Sequence, residues 1–285
     1  LNLPITITGT GSYSQNFTTG LTDIRFPQLN VSTNQFYLFK PKTGIRTGML
    51  ENITVNTGLQ FSNYVSGVKS GDLFTKTMWD NMQTGAKNKI ELATNTTVAK
   101  FFTFSLGANI DNVATTKTIS KNYNPVTNTL ERNLNKNLTG YSTFSTSASL
   151  QTVLYGMLKF GEKSKIQAIR HMVTPSIGFT YSPDFGDPKF GYFKSYYDET
   201  GVLTTYSIFE GGMFGSPNQG LTQSIGFNIN NNLEMKVRSK TDSTGTKKVK
   251  IFESLNISGD YNFAADKYKW SLISISTQTS FFQNK

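Results

Sequence analysis

Apolar and polar side chains alternate along most of this chain, and the alternation is cleanest from Leu221 to Val237. Leu221, Ile225, Phe227, Ile229, Leu233, Met235 and Val237 occupy odd positions, while Thr222, Ser224, Gly226, Asn228, Asn230, Asn232, Glu234, Lys236 and Arg238 fill even ones. A period of two is the rhythm of a β-strand, whose side chains point to opposite faces in turn. An ordinary globular strand runs about five or six residues. A longer strand with one apolar and one very polar face suits a wall between lipid and water, where a tilted strand needs roughly 9–11 residues.

Nine further segments show the same rhythm. Leu3–Ser14 sets Leu3, Ile5, Ile7 and Tyr13 against Thr6, Thr8, Thr10 and Ser12. Leu21–Phe39 is less regular, and Pro27 predicts a bulge or bend because proline cannot donate to a ladder. Asn52–Ser62 places Ile53, Val55, Leu59 and Phe61 on one face. Lys87–Val98 follows, then Phe102–Ile110 with Phe102, Phe104, Leu106, Ala108 and Ile110 together, and Ser142–Leu154 with Phe144, Ala148, Leu150 and Leu154. Ile169–Tyr181 aligns Val173, Ile177, Phe179 and Tyr181. Val249–Phe263 aligns Ile251, Leu255, Ile257, Tyr261 and Phe263, and Trp270–Phe281 aligns Ile273, Ile275 and Phe281.

The connections sort by parity. Lys40–Leu50, Ala99–Phe101, Tyr155–Ala168 and Arg238–Lys248 are short to moderate and basic. Gln15–Gly20, Asn63–Ala86, Asp111–Gly140, Ser182–Gly220 and Ala264–Lys269 form the other set, three of them long. An up-and-down sheet alternates its turns between two ends, and outer-membrane barrels keep short periplasmic turns at one end and longer extracellular loops at the other. The expected fold is therefore all-β, a transmembrane up-and-down antiparallel β-barrel of about ten strands with both chain ends on the periplasmic side. The alternatives are a water-soluble β-sandwich, whose strands are shorter, and a β-solenoid, whose fixed repeat period is not found here.

Composition sharpens this. Aromatics reach 13%, with 22 Phe and 13 Tyr, against only 36% hydrophobic residues in all, a balance that disfavours helices. No run of about 18 apolar residues exists to make a transmembrane helix, and a barrel needs none. There is no initiator Met, and the chain starts inside a strand-like pattern, so a mature or partial chain is expected. The net charge is +10. A nucleic-acid surface would gather that charge in one patch. Here it falls in clusters at Lys40–Arg46, Lys159–Arg170 and Lys236–Lys250, each between two strand patterns, so solvated turns are expected and no nucleic-acid partner.

Candidate chemistry is sparse. There is no cysteine and one histidine, His171, so disulfides, thiolate sites and His-rich metal sites are ruled out. His171 is expected to be structural or lumen-facing, with no catalytic, metal or cofactor-binding residue assigned. Asp184 and Asp187 lie in SPDFGDPKFG, where turn chemistry accounts for them. Glu210 precedes GGMFGSPNQG, which lacks the Lys-Ser/Thr pair and following helix of a phosphate loop. Tyr192, Phe193, Tyr196 and Tyr197 offer either a binding platform or internal packing of a long loop, the latter preferred. The Asn52–Thr54 and Asn256–Ser258 triplets lie within strand patterns and are read as polar-face residues. Pro175 predicts a bulge or locally weakened pairing inside its strand, and Pro183 lies near its end. No enzyme is expected, because no acid, base or nucleophile cluster stands out.

Several long stretches carry a family resemblance. These are IRHMVTPSIGFTYSPDF (Ile169–Phe185), YSIFEGGMFGSPNQGLTQSIGFNINNNLEMKVRSK (Tyr206–Lys240), ISGDYNFAADKYKWS (Ile257–Ser271), FPQLNVSTNQFYLFKPK (Phe26–Lys42) and ASLQTVLYG (Ala148–Gly156). In order and over most of the chain they resemble the barrel domain of the LptD lipopolysaccharide-assembly family, in its Bacteroidetes-type form. The resemblance implies lipopolysaccharide transport and insertion into the outer leaflet of the outer membrane. The implied partners are lipopolysaccharide, an LptE-like lipoprotein plug, periplasmic lipopolysaccharide-bridge proteins and outer-membrane lipid. It also implies that residues 1–285 are part of the barrel domain, a middle part of a larger barrel, with the family's N-terminal jellyroll domain not in this chain. The cysteines that link jellyroll and barrel in some relatives are absent, which puts disulfide-controlled assembly in doubt. In relatives, strand prolines are linked to gating near the seam; at Pro175 a local kink is preferred. Basic residues such as Lys236 and Arg238 would attract the lipid's phosphates, or else simply lie beside a periplasmic turn. The alternative functions are a general outer-membrane porin or transporter, and a structural or adhesive barrel.

Overall fold

A computed structural model of the chain describes residues 5–39, 48–161, 163–240 and 245–279. In chain order the strands are β1 Ile5–Asn16, β2 Leu21–Thr33, β3 Phe36–Tyr37, β4 Thr54–Lys69, β5 Gln83–Val98, β6 Phe102–Thr115, β7 Thr118–Asn124 and β8 Thr129–Asn135. They continue with β9 Thr139–Thr152, β10 Leu154–Lys159, β11 Ile166–Ser182, β12 Phe193–Tyr197, β13 Leu203–Ser207, β14 Thr222–Arg238, β15 Thr246–Asn262 and β16 Ser274–Gln278. One short helix, α1 Lys76–Asn81, lies between β4 and β5. No helix among the described residues is long and apolar enough to cross a membrane.

Ten strands hydrogen-bond in the order β1-β2-β4-β5-β6-β9-β11-β14-β15-β16, with β3 added to β4 and β10 to β11. The order runs with the sequence. Among the described residues no pairing joins β1 to β16, so the sheet is open. The ten expected segments match these ten strands, with shifted ends. Asn52–Ser62 is extended as far as Lys69 in β4, and much of the expected Tyr155–Ala168 connection is strand. Trp270–Phe281 contracts to β16, with Trp270 bridging Tyr261. Leu3, Phe281 and the Lys40–Arg46 cluster lie outside the described residues.

Two hairpins were not expected. β7–β8 and β12–β13 stand inside the long connections Asp111–Gly140 and Ser182–Gly220. Their turns carry the appropriate chemistry. Asn128 has φ of 54° and Gly201 of 77°, the left-handed region that Asn and Gly tolerate best. The tight β5–β6 turn puts Ala99 and Lys100 at φ of 50° and 65°. Two successive positive φ values are the signature of a primed hairpin turn, here built without its usual Asn or Gly.

Register aligns like with like. Ile7 pairs with Val31, and Val31 with Leu59, while Thr8, Asn30 and Gln60 form the next row on the opposite face. Ile229 pairs with Ile257, and Ile257 with Ile275. These apolar rows are open to the surroundings, with Ile7 69% and Ile275 67% exposed. Fully burying such a side chain is worth about 1.5–3 kcal/mol, so an apolar medium against this face stabilises it.

In the first row Asn88 follows Leu59. It donates to Thr57 Oγ1 and to the Gly58 carbonyl at 3.2 and 3.1 Å. Asn112 donates to Asn88 Oδ1 at 3.4 Å, and the Ser142 hydroxyl to Asn112 Oδ1 at 2.7 Å. This polar rung satisfies its own groups across several strands, as polar groups beside an apolar band must.

Two prolines interrupt the ladder differently. At Pro27 the register shifts between Arg25 and Gln28 against β4, and β1 slips between Thr10 and Ser12. The Phe26 ring occupies the place where Gly11 would carry a Cβ, so the expected bulge exists and glycine accommodates it. Around Pro175, β10 pairs with β11 up to Leu154–Val173, and β9 resumes at Gln151–Ser176 in the same register. Pairing is lost opposite the proline without an extra residue. That is weakened pairing, not a bulge, because the missing N–H removes a bond and inserts nothing.

Contacts divide the chain into two units. The first holds residues 1–93, 108–145 and 182–221; the second holds 94–107, 146–181 and 222–285. Every buried apolar residue among the described ones belongs to the first unit. One cluster there joins Val65, Val68 and Met78, and another joins Val113, Tyr141 and Phe209. The described residues of the second unit form sheet without a buried apolar core, held by ladder bonds and cross-strand pairs.

Candidate functional site

The basic clusters expected in turns lie largely on strands. Lys159 ends β10, Arg170 belongs to β11, Lys236 and Arg238 to β14, and Lys248 to β15. The strands extend further than the alternation suggested, because the cross-strand ladder carries polar residues that a hydropathy pattern assigns to turns. Residues 241–244 of the Lys236–Lys250 cluster lie outside the described residues.

These side chains line one cleft of about 760 Å3 in the second unit. Its walls include Lys159, Arg170, Lys236, Arg238 and Lys248, one carboxylate, Glu234, and the apolar Met157, Phe160 and Ala168. Glu234 Oε2 stands 3.0 Å from Arg170 Nη2. The Arg238 amide donates to the Lys165 carbonyl at 2.9 Å, tying the end of β14 to the β10–β11 turn. Lys236 and Lys248 are directly opposed in the β14–β15 register. Like charges in that position repel.

His171 lies on the apolar face, in phase with Val173 along β11. Its Nε2 is 3.1 Å from Asn231 Oδ1, and the Asn231 amide group donates to the carbonyls of Ile229 and Leu255 at 3.4 and 3.3 Å. The contact ties β11 to β14 through His171 and Asn231.

In the first unit the long loop after β11 is packed and pinned. Asp184 accepts from the Gly186 and Gly220 amides, both at 2.7 Å, and closes the loop at its base beside buried Pro183. Asp187 accepts from the Lys189 amide at 3.0 Å and pairs with its ammonium at 2.9 Å, which holds its carboxyl below the ordinary range. Tyr192 stacks on Phe190 and meets Tyr141 and Phe209 edge-on, and its hydroxyl bonds the backbone of Ser142. Tyr196 packs on Tyr206, whereas Tyr197 is exposed. Of the four, Tyr192 and Tyr196 pack within the loop; Phe193 is the first residue of β12. Glu210 pairs with Lys121 of β7 at 2.7 Å. Lys117, beside that hairpin, donates to the Asp80 carbonyl at 2.9 Å; burial, then Lys136, pushes its ammonium pKa down.

Among the described residues no group of three or more His, Asp or Glu side chains is placed to hold a metal. What emerges is an all-β protein built on an open antiparallel sheet, amphipathic across its faces, with a basic cleft at one end. A family model described as LptD protein matches residues 1–285, and the chain belongs to that family, which is one of transport proteins and not of enzymes. No curated protein matches the sequence. Among solved structures, the outer membrane transporter YddB from Escherichia coli is similar at 9% identity and a TM-score of 0.27, over 96% of this chain and 35% of that one. The chain thus spans about a third of that transporter's length.

Proposed function

We propose that this chain is a membrane-spanning part of an outer-membrane lipopolysaccharide translocon, taking lipopolysaccharide from a periplasmic bridge and delivering it to the outer leaflet. The family match over residues 1–285 carries this reading. The open apolar rows support a lipid-facing surface, and the edges of β1 and β16, unpaired among the described residues, support a larger barrel to which other strands contribute. Unpaired edges are costly in lipid, so those strands need partners. The jellyroll domain and the lipoprotein plug belong to the rest of this assembly.

The test is the mass of the native membrane-extracted protein with whatever lipoprotein co-purifies. A polypeptide much larger than 31.7 kDa, carrying a jellyroll and a bound lipoprotein, is the expected result. Its depletion should strand lipopolysaccharide short of the cell surface. A self-contained protein of 31.7 kDa that conducts ions without a partner overturns the reading in favour of a porin.

A further inference from the structure

In the second unit Lys236 and Lys248 stand directly opposed across β14 and β15. Directly opposed residues in an antiparallel pair hold their Cβ atoms about 4.5–5.5 Å apart. Like charges directly opposed in this way are destabilising, and an anion between the two lysines relieves the repulsion. Neither lysine forms an ion pair with a carboxylate among the described residues. The cleft's own carboxylate, Glu234, is engaged by Arg170. The neighbouring Lys250 has its own partner in Glu253 at 2.9 Å. Around the opposed pair stand Lys159 and Arg238, so the cleft carries a marked excess of positive charge.

The other walls restrict the occupant. Met157, Phe160, Ala168 and Met235 supply apolar surface beside the cations. A volume of about 760 Å3 is in the range of small-ligand sites, roughly 300–1,000 Å3. A phosphate monoester brings about −1.5 to −2 charges near neutral pH and three acceptor oxygens, enough to engage two ammonium groups and a guanidinium at once.

We propose that this cleft binds a phosphate group between Lys236 and Lys248, with Lys159 and Arg238 around it and the apolar wall receiving the body of a phosphorylated headgroup. The site deepens the transport reading above and rests on it for the headgroup being lipid-borne. The phosphate chemistry itself follows from the lysine opposition and the cleft.

The test uses the full-length protein, with any partner it purifies with, in detergent. Binding is measured to sodium pyrophosphate, to micelles doped with phosphatidic acid, and to micelles doped with phosphatidylcholine. Wild type should bind at least one phosphate probe and show no comparable response to phosphatidylcholine. K236Q/K248Q should weaken that binding at least tenfold, K236R/K248R should keep it within threefold, and K267Q/K269Q, which alters lysines outside the cleft, should leave it unchanged. Phosphatidic acid bound in preference to pyrophosphate identifies a lipid headgroup as the source, and the reverse identifies free phosphate. A second readout guards against misfolding: in phosphate-free buffer the single variant K248Q should melt at or above the wild-type temperature, and the bound phosphate probe should raise the wild-type melting temperature more than that of K248Q. Equal binding by wild type and K236Q/K248Q overturns the proposal. So does wild type binding neither phosphate probe, or an equal melting shift in K248Q. Lysine-dependent phosphate binding by a protein whose depletion leaves surface lipopolysaccharide intact would refute the transport reading and leave the cleft standing.

Discussion

The α-carbon of Gly140 in β9 lies against the carbonyl oxygen of Val113 in β6, with no room for a side-chain carbon between them. Gly85 in β5 is similarly constrained, since a Cβ there would fall 2.8 Å from the Ala114 carbonyl. Backbone cannot yield as a flexible side chain can. Gly140→Ala should therefore separate β9 from β6 locally and cost about 1–3 kcal/mol, the usual range for overpacking. Gly9→Ala is the control, because its Cβ meets only Leu29 at an ordinary 3.5 Å. The folded fraction, read from heat-modifiable gel migration of the full-length protein, should fall for Gly140→Ala and hold for Gly9→Ala.

Pro175 breaks a ladder whose register is continuous on both sides. Pro175→Val restores an N–H facing Thr152, whose hydroxyl is already held by the Phe101 carbonyl at 2.8 Å. A recovered backbone bond is worth about 0.5–1.5 kcal/mol. Amide exchange at Thr152 and Val153 should slow in the variant. An unchanged rate would show that some feature other than the missing donor holds the gap open.

Glu210 fastens the long loop to the β7–β8 hairpin. The Lys121 ammonium reaches both carboxylate oxygens, at 2.9 and 2.7 Å, and Arg132 donates to the Glu210 carbonyl at 3.3 Å. The Ile119 amide also donates to the Ile208 carbonyl at 2.9 Å. A partly exposed pair of this kind is worth up to about 1 kcal/mol. Glu210→Gln should raise exchange at the Ile119 amide about fivefold, the factor that this energy sets. Exchange in β1, remote from this contact, should not change.

Asp198 closes the β12–β13 turn. The Thr200 hydroxyl, at 2.7 Å, and the Val202 amide, at 3.0 Å, lead the donors that hold its carboxyl below the ordinary 3.8. The Thr200 amide and the Thr204 hydroxyl add to them. A folded-state pKa below the unfolded one contributes stability that is fully present above the unfolded value. That contribution is lost as pH falls through the lowered folded value. Amide protection across β12–β13 should therefore hold at pH 5 and above, about one unit over the unfolded value, and decline below 3.8. Asp198→Asn should remove this pH dependence.

The alternation of apolar and polar residues was enough to place the ten principal strands, because a period of two is written locally in each segment. Bulge and breakage at Pro27 and Pro175 were legible for the same reason: the missing N–H travels with the residue itself. The β7–β8 and β12–β13 hairpins were not legible, since Thr118–Asn124 and Phe193–Tyr197 are short and mixed in polarity, and the side chains the hairpins bury, such as Ile119 and Tyr206, meet partners distant in the chain.

The cleft shows the limit most clearly. Lys159, Arg170, Lys236, Arg238 and Lys248 read as two separate basic turns along the chain, yet cross-strand register gathers them on one wall and sets Lys236 against Lys248. The polar rung of Asn88, Asn112 and Ser142 depends on the same kind of placement, as does the pairing of His171 with Asn231. Sequence alone determined which residues share a strand face, since alternation is a property of consecutive residues. Which residues meet across strands was decided only by tertiary structure, because register is set by hydrogen bonding between segments far apart in the chain.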